Sequence, residues 1–463
     1  MTKTTSGARA KKGSIGVAGA TAIGVGGMMG AGLYTLVGLA TTATGVWLPF
    51  AFLVGGVVAF FSVYSYAKLG VRYPSRGGAA QFLVETFGDG VLAGGMNIFQ
   101  YLGWIVAMAL YATGFAGYAQ DLLGGDLPSW SGKAIAIGII LAMMLVNFVG
   151  PKIVSRAEAG IIVFELIILA VFVVAGVMKA QAPHLTVSSG MGPLGILFGA
   201  GLLYVTYEGF GVMTNTTGEM SDPKKQLPKA MYAALAIVMV VYLIVSTVIV
   251  LVMKVPAIEA NAGHVLDEAA QIALGRAGFI AIGVAALVAT ASAVNATMFG
   301  DANLAFQVAK DGQLPKVFER HVWLSGGFGL IITAVLTCVF VLAFPLSAVG
   351  QMASLAFLIV YGMVSVGHLR VRNETGARRW MLLAAVILNA ALFVLLLYYA
   401  IEHSPATTWI TLLALLVLSF AAEWAYRRRT GRRLQTAAAA GAPSAVIKAT
   451  AGAHAEVAAD ENG

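Results

Sequence analysis

Twelve stretches of about 20 mainly apolar residues recur along the chain, at about 14–38, 46–68, 91–118, 132–150, 158–179, 192–214, 230–253, 278–304, 327–344, 348–367, 380–401 and 406–424. Each is long enough for a helix to cross the bilayer hydrocarbon, about 30 Å thick. With 59% hydrophobic residues, 11% charged and a mean hydropathy of +0.85, the composition exceeds what a soluble core needs. Backbone groups in hydrocarbon must bond within their own segment, so the expected fold is an all-α polytopic membrane protein of twelve transmembrane helices. An even number of crossings puts both ends on one side. With the N-terminus inside, all 29 Lys and Arg except Lys133, Lys179, Lys254 and Arg276 fall on that side. Both termini are therefore expected in the cytoplasm and the spans in the plasma membrane. The same asymmetry accounts for the net charge of +8 without a nucleic-acid partner.

A lone Cys338 excludes intrachain disulfides and a CxxC pair. His184, His264, His321, His368, His403 and His454 fall in connections or the tail, so neither a metal site nor an intramembrane histidine relay is expected. Lys3, Arg9, Lys11 and Lys12 precede the first apolar run as in a signal peptide, but the run is too long for one. The chain divides into a cytoplasmic segment (1–13), two blocks of five spans (14–180 and 192–367), a further pair (380–424) and a basic, then disordered, tail (425–463). Residues 218–228 read as a polar break, and the stretch after Gly77 as a short interfacial helix.

The first run is unusual. Between Gly24 and Gly32 it holds five glycines, each costing a helix interior about 1 kcal/mol relative to alanine. Two uses fit. Gly30-Ala31-Gly32 can be an unwound point whose free N–H groups hold an anion, or the glycines can form a packing face, with Gly26 and Gly30 at the spacing that lets helices approach closely. The sixth run contains Leu203-Tyr204-Val205-Thr206-Tyr207-Glu208-Gly209-Phe210-Gly211, where a carboxylate and two glycines again interrupt apolar residues. It stands to spans six through ten as the first run stands to spans one through five. Interruptions at corresponding places in two halves point to a central site in an inverted-repeat transporter. N–H groups around Ala31 and Gly32 would hold a carboxylate. Carbonyls around Tyr204 to Tyr207, and near Ile23 to Gly26, would hold an ammonium group. A ligand with both groups on one carbon is an α-amino acid.

Five motifs then resemble the amino acid–polyamine–organocation superfamily of permeases. Gly30-Ala31-Gly32-Leu33-Tyr34 is similar to its Gly-x-Gly-Ile-Phe unwound motif, Pro74-Ser75-Arg76-Gly77-Gly78 to its Pro-x-x-Gly-Gly loop, and Tyr207-Glu208-Gly209-Phe210 to its sixth-helix break. Asp222-Pro223-Lys224-Lys225-Gln226-Leu227-Pro228 resembles its Asn-Pro-x-x-x-x-Pro loop, and Ala309-Lys310-Asp311-Gly312-Gln313-Leu314-Pro315 its Ala-Arg-Asp-Gly-x-Leu-Pro motif. The resemblance implies a leucine-transporter-like five-plus-five inverted repeat with helices 1 and 6 interrupted and helices 11 and 12 peripheral.

Glu165 lies deep in span five, where an ionised, unpaired carboxylate costs at least about 2.5 kcal/mol. It is the candidate for proton coupling, with a structural hydrogen bond as the alternative. Proton-coupled members that this chain resembles carry a lysine there, so the sign is reversed. Glu208 can meet the amino end of a cationic substrate or cap N–H groups of the lower half-helix. In span eight, Ser292 and Asn295 are candidates for an ion site, though Asn295 reads first as a helix–helix hydrogen bond. Sodium-coupled relatives place two hydroxyls where this chain has Ala291-Ser292, which favours protons over sodium. Asp301 reads as a local cap or pair. Asn97, Tyr101 and Met108 share a face of span three that can line a pocket or simply pack, and either Tyr207 or Phe210 can close over a ligand.

The reading is a secondary amino acid permease that alternates access, with proton symport as its coupling and no cofactor beyond the gradient. It is not an enzyme, for no nucleotide motif or catalytic domain is present. Import or exchange of polyamines or cationic amino acids is the nearer alternative, and a membrane amino acid sensor the more distant one.

Overall fold

The computed structural model describes residues 15–430 apart from 75–77, 89, 125–126, 150–151, 182–183, 186–189, 311–315, 320 and 324–325. The N-terminal segment, the tail beyond 430, Ser75-Arg76-Gly77 and Asp311-Gly312-Gln313-Leu314-Pro315 lie outside the described residues.

Apolar runs without hydrogen-bonding partners in hydrocarbon satisfy their backbones as helices. These are α1 (Val17–Thr44), α2 (Leu48–Arg72), α3 (Gly78–Phe87), α4 (Val91–Leu122), α5 (Ser131–Val149), α6 (Lys152–Met178), α7 (Gly192–Leu203), α8 (Phe210–Met213), α9 (Pro223–Val252), α10 (Val255–Ala260), α11 (Val265–Leu274), α12 (Arg276–Lys310), α13 (Phe328–Ala343), α14 (Leu346–Arg370), α15 (Arg372–Thr375), α16 (Arg379–His403) and α17 (Ala406–Thr430). One short antiparallel pair, β1 (His321–Trp323) with β2 (Gly326–Gly327), is the departure from helix among the described residues.

The protein is a multi-pass helical membrane protein. Ten stretches among the described residues are long and apolar enough to cross a bilayer. One of them runs from Gly32 to Arg72, because only the 3-10 turn Gly45–Trp47 separates α1 from α2. Phe328–Ala343 is a shorter apolar helix. At 1.5 Å per residue, the 16 residues of α13 reach roughly 24 Å.

Several expectations need correction. The polar break at 218–228 ends early, because α9 starts at Pro223. Proline suits the first helical position, where its missing N–H has no intrahelical role, and Pro228 inside the helix forgoes one bond. His368 lies in the last turn of α14, buried, not in a connection; it bonds Ser65 Oγ at 2.8 Å and Thr375 Oγ1 at 2.8 Å. Between α9 and α12 the chain folds into the short helices α10 and α11. The interfacial helix expected after Gly77 is α3.

The centre is formed by α1, which packs on α9, α7, α12, α6 and α8, and by α4, which packs on α12, α14, α17, α5 and α13. The apolar windows of α4 and α14 are 78% buried, whereas those of α5 and α17 are 22% buried and those of α6 and α16 28% and 33%. The latter four form the outer wall.

Candidate functional site

Two glycine-bearing stretches, about 180 residues apart, lie face to face at the centre. The sixth apolar run is helical through α7, tightens into a 3-10 turn at Tyr204–Tyr207, resumes for one turn as α8, and ends in a second 3-10 turn at Thr214–Glu219. Such mid-helix tightening marks hinges. The expected interruption is present here, but its backbone groups are occupied. Ser354 of α14 donates to the Leu202 carbonyl at 2.5 Å and accepts from the Val205 N–H at 3.1 Å. Thr206 Oγ1 donates to the Leu203 carbonyl at 2.7 Å, Tyr242 to that of Thr206 at 3.1 Å, and Tyr361 to that of Glu208 at 2.9 Å. Of the carbonyls around Tyr204 to Tyr207, that of Thr206 and its neighbours at Leu202, Leu203 and Glu208 are thus held by hydroxyls, three of the four from α9 and α14. An unpaired carbonyl at this depth costs several kcal/mol.

In the first stretch, where an unwound point was one of the two expectations, α1 is helical from Val17 to Thr44, through Gly30, Ala31 and Gly32. Their N–H groups belong to the helix ladder and are not free for a carboxylate. Glycine permits unwinding without forcing it, and here the missing side chains serve close approach. A Cβ on Gly209 would overlap the Gly27 backbone, and one on Gly32 would overlap Thr206. Gly30 faces Ala289 and Ala293 of α12. The packing face thus uses Gly27, Gly30 and Gly32, while Ile23 and Gly26 are half-buried. Tyr242 staples the contact, donating to the Met28 carbonyl at 2.7 Å as well as to Thr206. In a regular helix that Met28 carbonyl accepts from Gly32, so the tyrosine competes at the point where unwinding was expected.

Glu208 is 1% exposed. Its Oε1 accepts from the Tyr111 hydroxyl at 2.6 Å and its Oε2 has no partner, so it does not cap the following half-helix. Tyr204 is bonded to Ser62 at 2.8 Å, and Tyr207 turns to α2, donating to the Phe52 carbonyl at 2.8 Å. Phe210 instead packs edge-on to Tyr66 and tilted on Tyr361, with centroids 5.2 and 4.8 Å apart. Of the two aromatic candidates, Phe210 lies among the rings of Tyr66 and Tyr361, and Tyr207 lies against α2. Tyr101 does not join this group; it meets Thr333 at 2.9 Å and packs on Phe318.

The sequence matches the amino acid permease family over residues 15–421. The chain belongs to that family. An uncharacterised protein of Methanocaldococcus jannaschii is 33% identical over 381 residues, 82% of this chain and 88% of the relative. The inner membrane transport protein YbaT of Escherichia coli is 32% identical over 402 residues, 86% and 93% of the two chains. The branched-chain amino acid permease BcaP of Bacillus subtilis is 22% identical over 401 residues, 80% and 83% of the two. The protein is a transporter of the amino acid–polyamine–organocation superfamily and not an enzyme.

In this permease Glu165 is 2% exposed and stands on α6 against α1. The Tyr34 hydroxyl lies within its electrostatic reach, yet neither that hydroxyl nor Glu165 Oε1 has a hydrogen-bond partner. Asn295 accepts from Asn147 Nδ2 at 2.9 Å, joining α12 to α5, while Ser292 is half-buried on α12. Asp301 departs from its expected role as a cap or local pair: it is 2% exposed and neither oxygen has a partner.

A second ionisable cluster lies where α4 ends and α11 begins. His264 Nδ1 is 3.0 Å from Asp121 Oδ2 and 3.5 Å from Asp267 Oδ1, and the ligand atoms of Asp121, His264 and Glu268 lie within 4.8 Å of one another. Burial opposes the histidine's charge, but the hydrogen bond and charge of Asp267, with Asp121 and Glu268, raise its pKa overall. Burial pushes Asp267 up to about 6, with His264 opposing.

Tyr111, Tyr242, Ser354 and Tyr361 bond the break and α1 although no sequence motif marks them. The available signal was a lone hydroxyl within an apolar run, where each needs a partner.

Proposed function

We propose that this permease is a secondary active transporter of amino acids, working by alternating access and driven by proton symport. The carrying observation is the interrupted run Tyr204–Gly209, with its buried Glu208, packed backbone-to-backbone on the glycine face of α1. Substrate would bind where α1 and this break separate. Its ammonium group would replace hydroxyl donors at the Thr206 and Glu208 carbonyls, and its carboxylate would meet N–H groups released as α1 unwinds at Gly30, Ala31 and Gly32. Ile23, Gly26, Tyr204, Tyr207 and Phe210 would border it. Glu165, touching α1 from outside the break, would carry the proton, and the single Ser292 hydroxyl weighs against a sodium site. The reading takes the helices as twelve crossings of the plasma membrane, with a five-plus-five inverted repeat and cytoplasmic ends.

Cationic amino acids or polyamines are a second reading, favoured because Glu165, Glu208 and Asp301 are buried in spans where no Lys or Arg among the described residues is buried. Proteoliposome uptake separates the two. The expected result is accumulation of labelled amino acid under an imposed inward proton gradient, competed by L-alanine and not by putrescine. Competition by putrescine alone selects the second reading, and no accumulation of either solute overturns both.

A further inference from the structure

A cavity of about 40 Å³ opens between α2, α3, α4, α8, α12 and α14, walled in part by Tyr66 and Tyr361, on which Phe210 packs. Tyr66, Gln100, Asn215 and Asp301 line it together. Five of their oxygens are buried without a hydrogen-bond donor: the Tyr66 hydroxyl, Gln100 Oε1, Asn215 Oδ1 and both Asp301 oxygens. Tyr66, Gln100 and Asp301 are no more than 5% exposed. Among the described residues, no Lys, Arg or His lines the cavity. Buried polar atoms are ordinarily partnered, and a buried carboxylate needs a counter-charge, so these five oxygens lack both donors and positive charge among the described residues. The remaining wall includes the apolar Trp104 and Leu304.

We propose that this cavity is a binding site for a primary alkylammonium group. Three N–H donors would be shared among Asp301, Gln100 and Asn215, with the alkyl stem against Trp104 and Leu304. The site goes beyond the break, for no residue of Tyr204–Gly209 is among its lining, and Tyr361, which bonds the Glu208 carbonyl, stands in its wall. Its occupant is either a substrate in transit or a separate amine, both presenting the same chemistry.

The test uses the purified full-length protein, with thermal unfolding followed as methylammonium chloride replaces choline chloride at constant ionic strength. Choline keeps the charge and lacks the N–H donors. Methylammonium is expected to raise the transition temperature saturably, with the response lost in Asp301→Asn and kept in Glu208→Gln. Gln100→Leu, which removes one bond to a charged group, is expected to shift the midpoint about tenfold higher. An equal response to both cations, or a full response in Asp301→Asn, overturns the proposal. So does loss confined to Glu208→Gln, which places the amine at the break. Should Asp301→Asn not fold, Gln100→Leu decides: an unshifted midpoint overturns the proposal. If wild-type protein binds methylammonium, altered amino acid efflux from Asp301→Asn proteoliposomes marks substrate in transit, and unchanged efflux marks a separate amine. Because binding is read without transport, failure of uptake leaves this result standing, and failure of binding leaves the transport reading intact.

Discussion

Glu165 is held by α6 against the central helix α1, with the Tyr34 hydroxyl of α1 as its polar neighbour. A carboxylate in such a place differs in its pull on α1 according to whether it carries a proton, since the ionised form seeks donors and the neighbouring Tyr34 hydroxyl of α1 is one. Glu165→Gln fixes the neutral, hydrogen-bonding form. Accumulation driven by a pH gradient in proteoliposomes is expected to fall at least about tenfold, whereas exchange of labelled for unlabelled amino acid across the same vesicles persists. Undiminished gradient-driven accumulation in the variant removes Glu165 from coupling and leaves it a structural group. Tyr242 acts differently: by bonding carbonyls of both α1 and the break it ties the two stretches that substrate would have to part.

The packing of α1 on the break depends on the absence of side chains at Gly27 and Gly209. A methyl group at Gly209 would overlap backbone atoms of Gly27 and Met28, which have no rotamer by which to yield. Overpacking of this kind costs about 1–3 kcal/mol, so Gly209→Ala is expected to lower the thermal transition. Gly138→Ala, with open space around the new Cβ on α5, should leave it unchanged or slightly raised. Equal stability of the two variants would refute the close contact as a stabilising element. The interruption of the sixth run is legible in the sequence because Glu208 is costly to bury and glycines flank it. The continuity of α1 is not, for glycine's helix penalty is local whereas the surfaces that compensate it come from Thr206, Gly209 and α12. Likewise a search for 20-residue runs passes over α11, only 10 residues long. Yet Asp267 and Glu268 in its first turn and buried Val265, Leu266, Ala269 and Ala270 carry a helix-start and amphipathic signal. Ser354 and Tyr361 could be seen as isolated hydroxyls, but their partners lie about 150 residues away.

At the scale of the molecule, the two ends of the central bundle are closed by different chemistry. One end has the Phe210, Tyr66 and Tyr361 rings, with a backbone bridge from Ile15 to Met220 near the start of α1. The other is covered by the α10–α11 connection, where Ala262 lies against Gly38 of α1 and Gly263 against Gly117 of α4. His264 fastens this cover to Asp121 of α4 and to Asp267. The histidine's pKa is raised in the fold, so its stabilising charge is fully present below the unfolded value of 6.5 and is lost as pH rises through the higher folded value. Asp267, raised from 3.8 to about 6, has the same sign: the fold favours its protonated form, and that contribution fades as pH rises through about 6. Thermal stability carried by this cover should therefore decline between about pH 4 and 8, by roughly 2 °C or more. The slope should flatten in His264→Gln, which keeps a polar side chain and cannot charge. Since the cover rests on α1, the same protonation that tightens it should slow opening at this end. A cysteine at Ala262 should then be labelled by a membrane-impermeant maleimide faster at pH 8 than at pH 6, after correction for thiolate content with a free-thiol standard. Labelling rates equal at the two pH values after that correction would show that His264 does not govern the opening of this end.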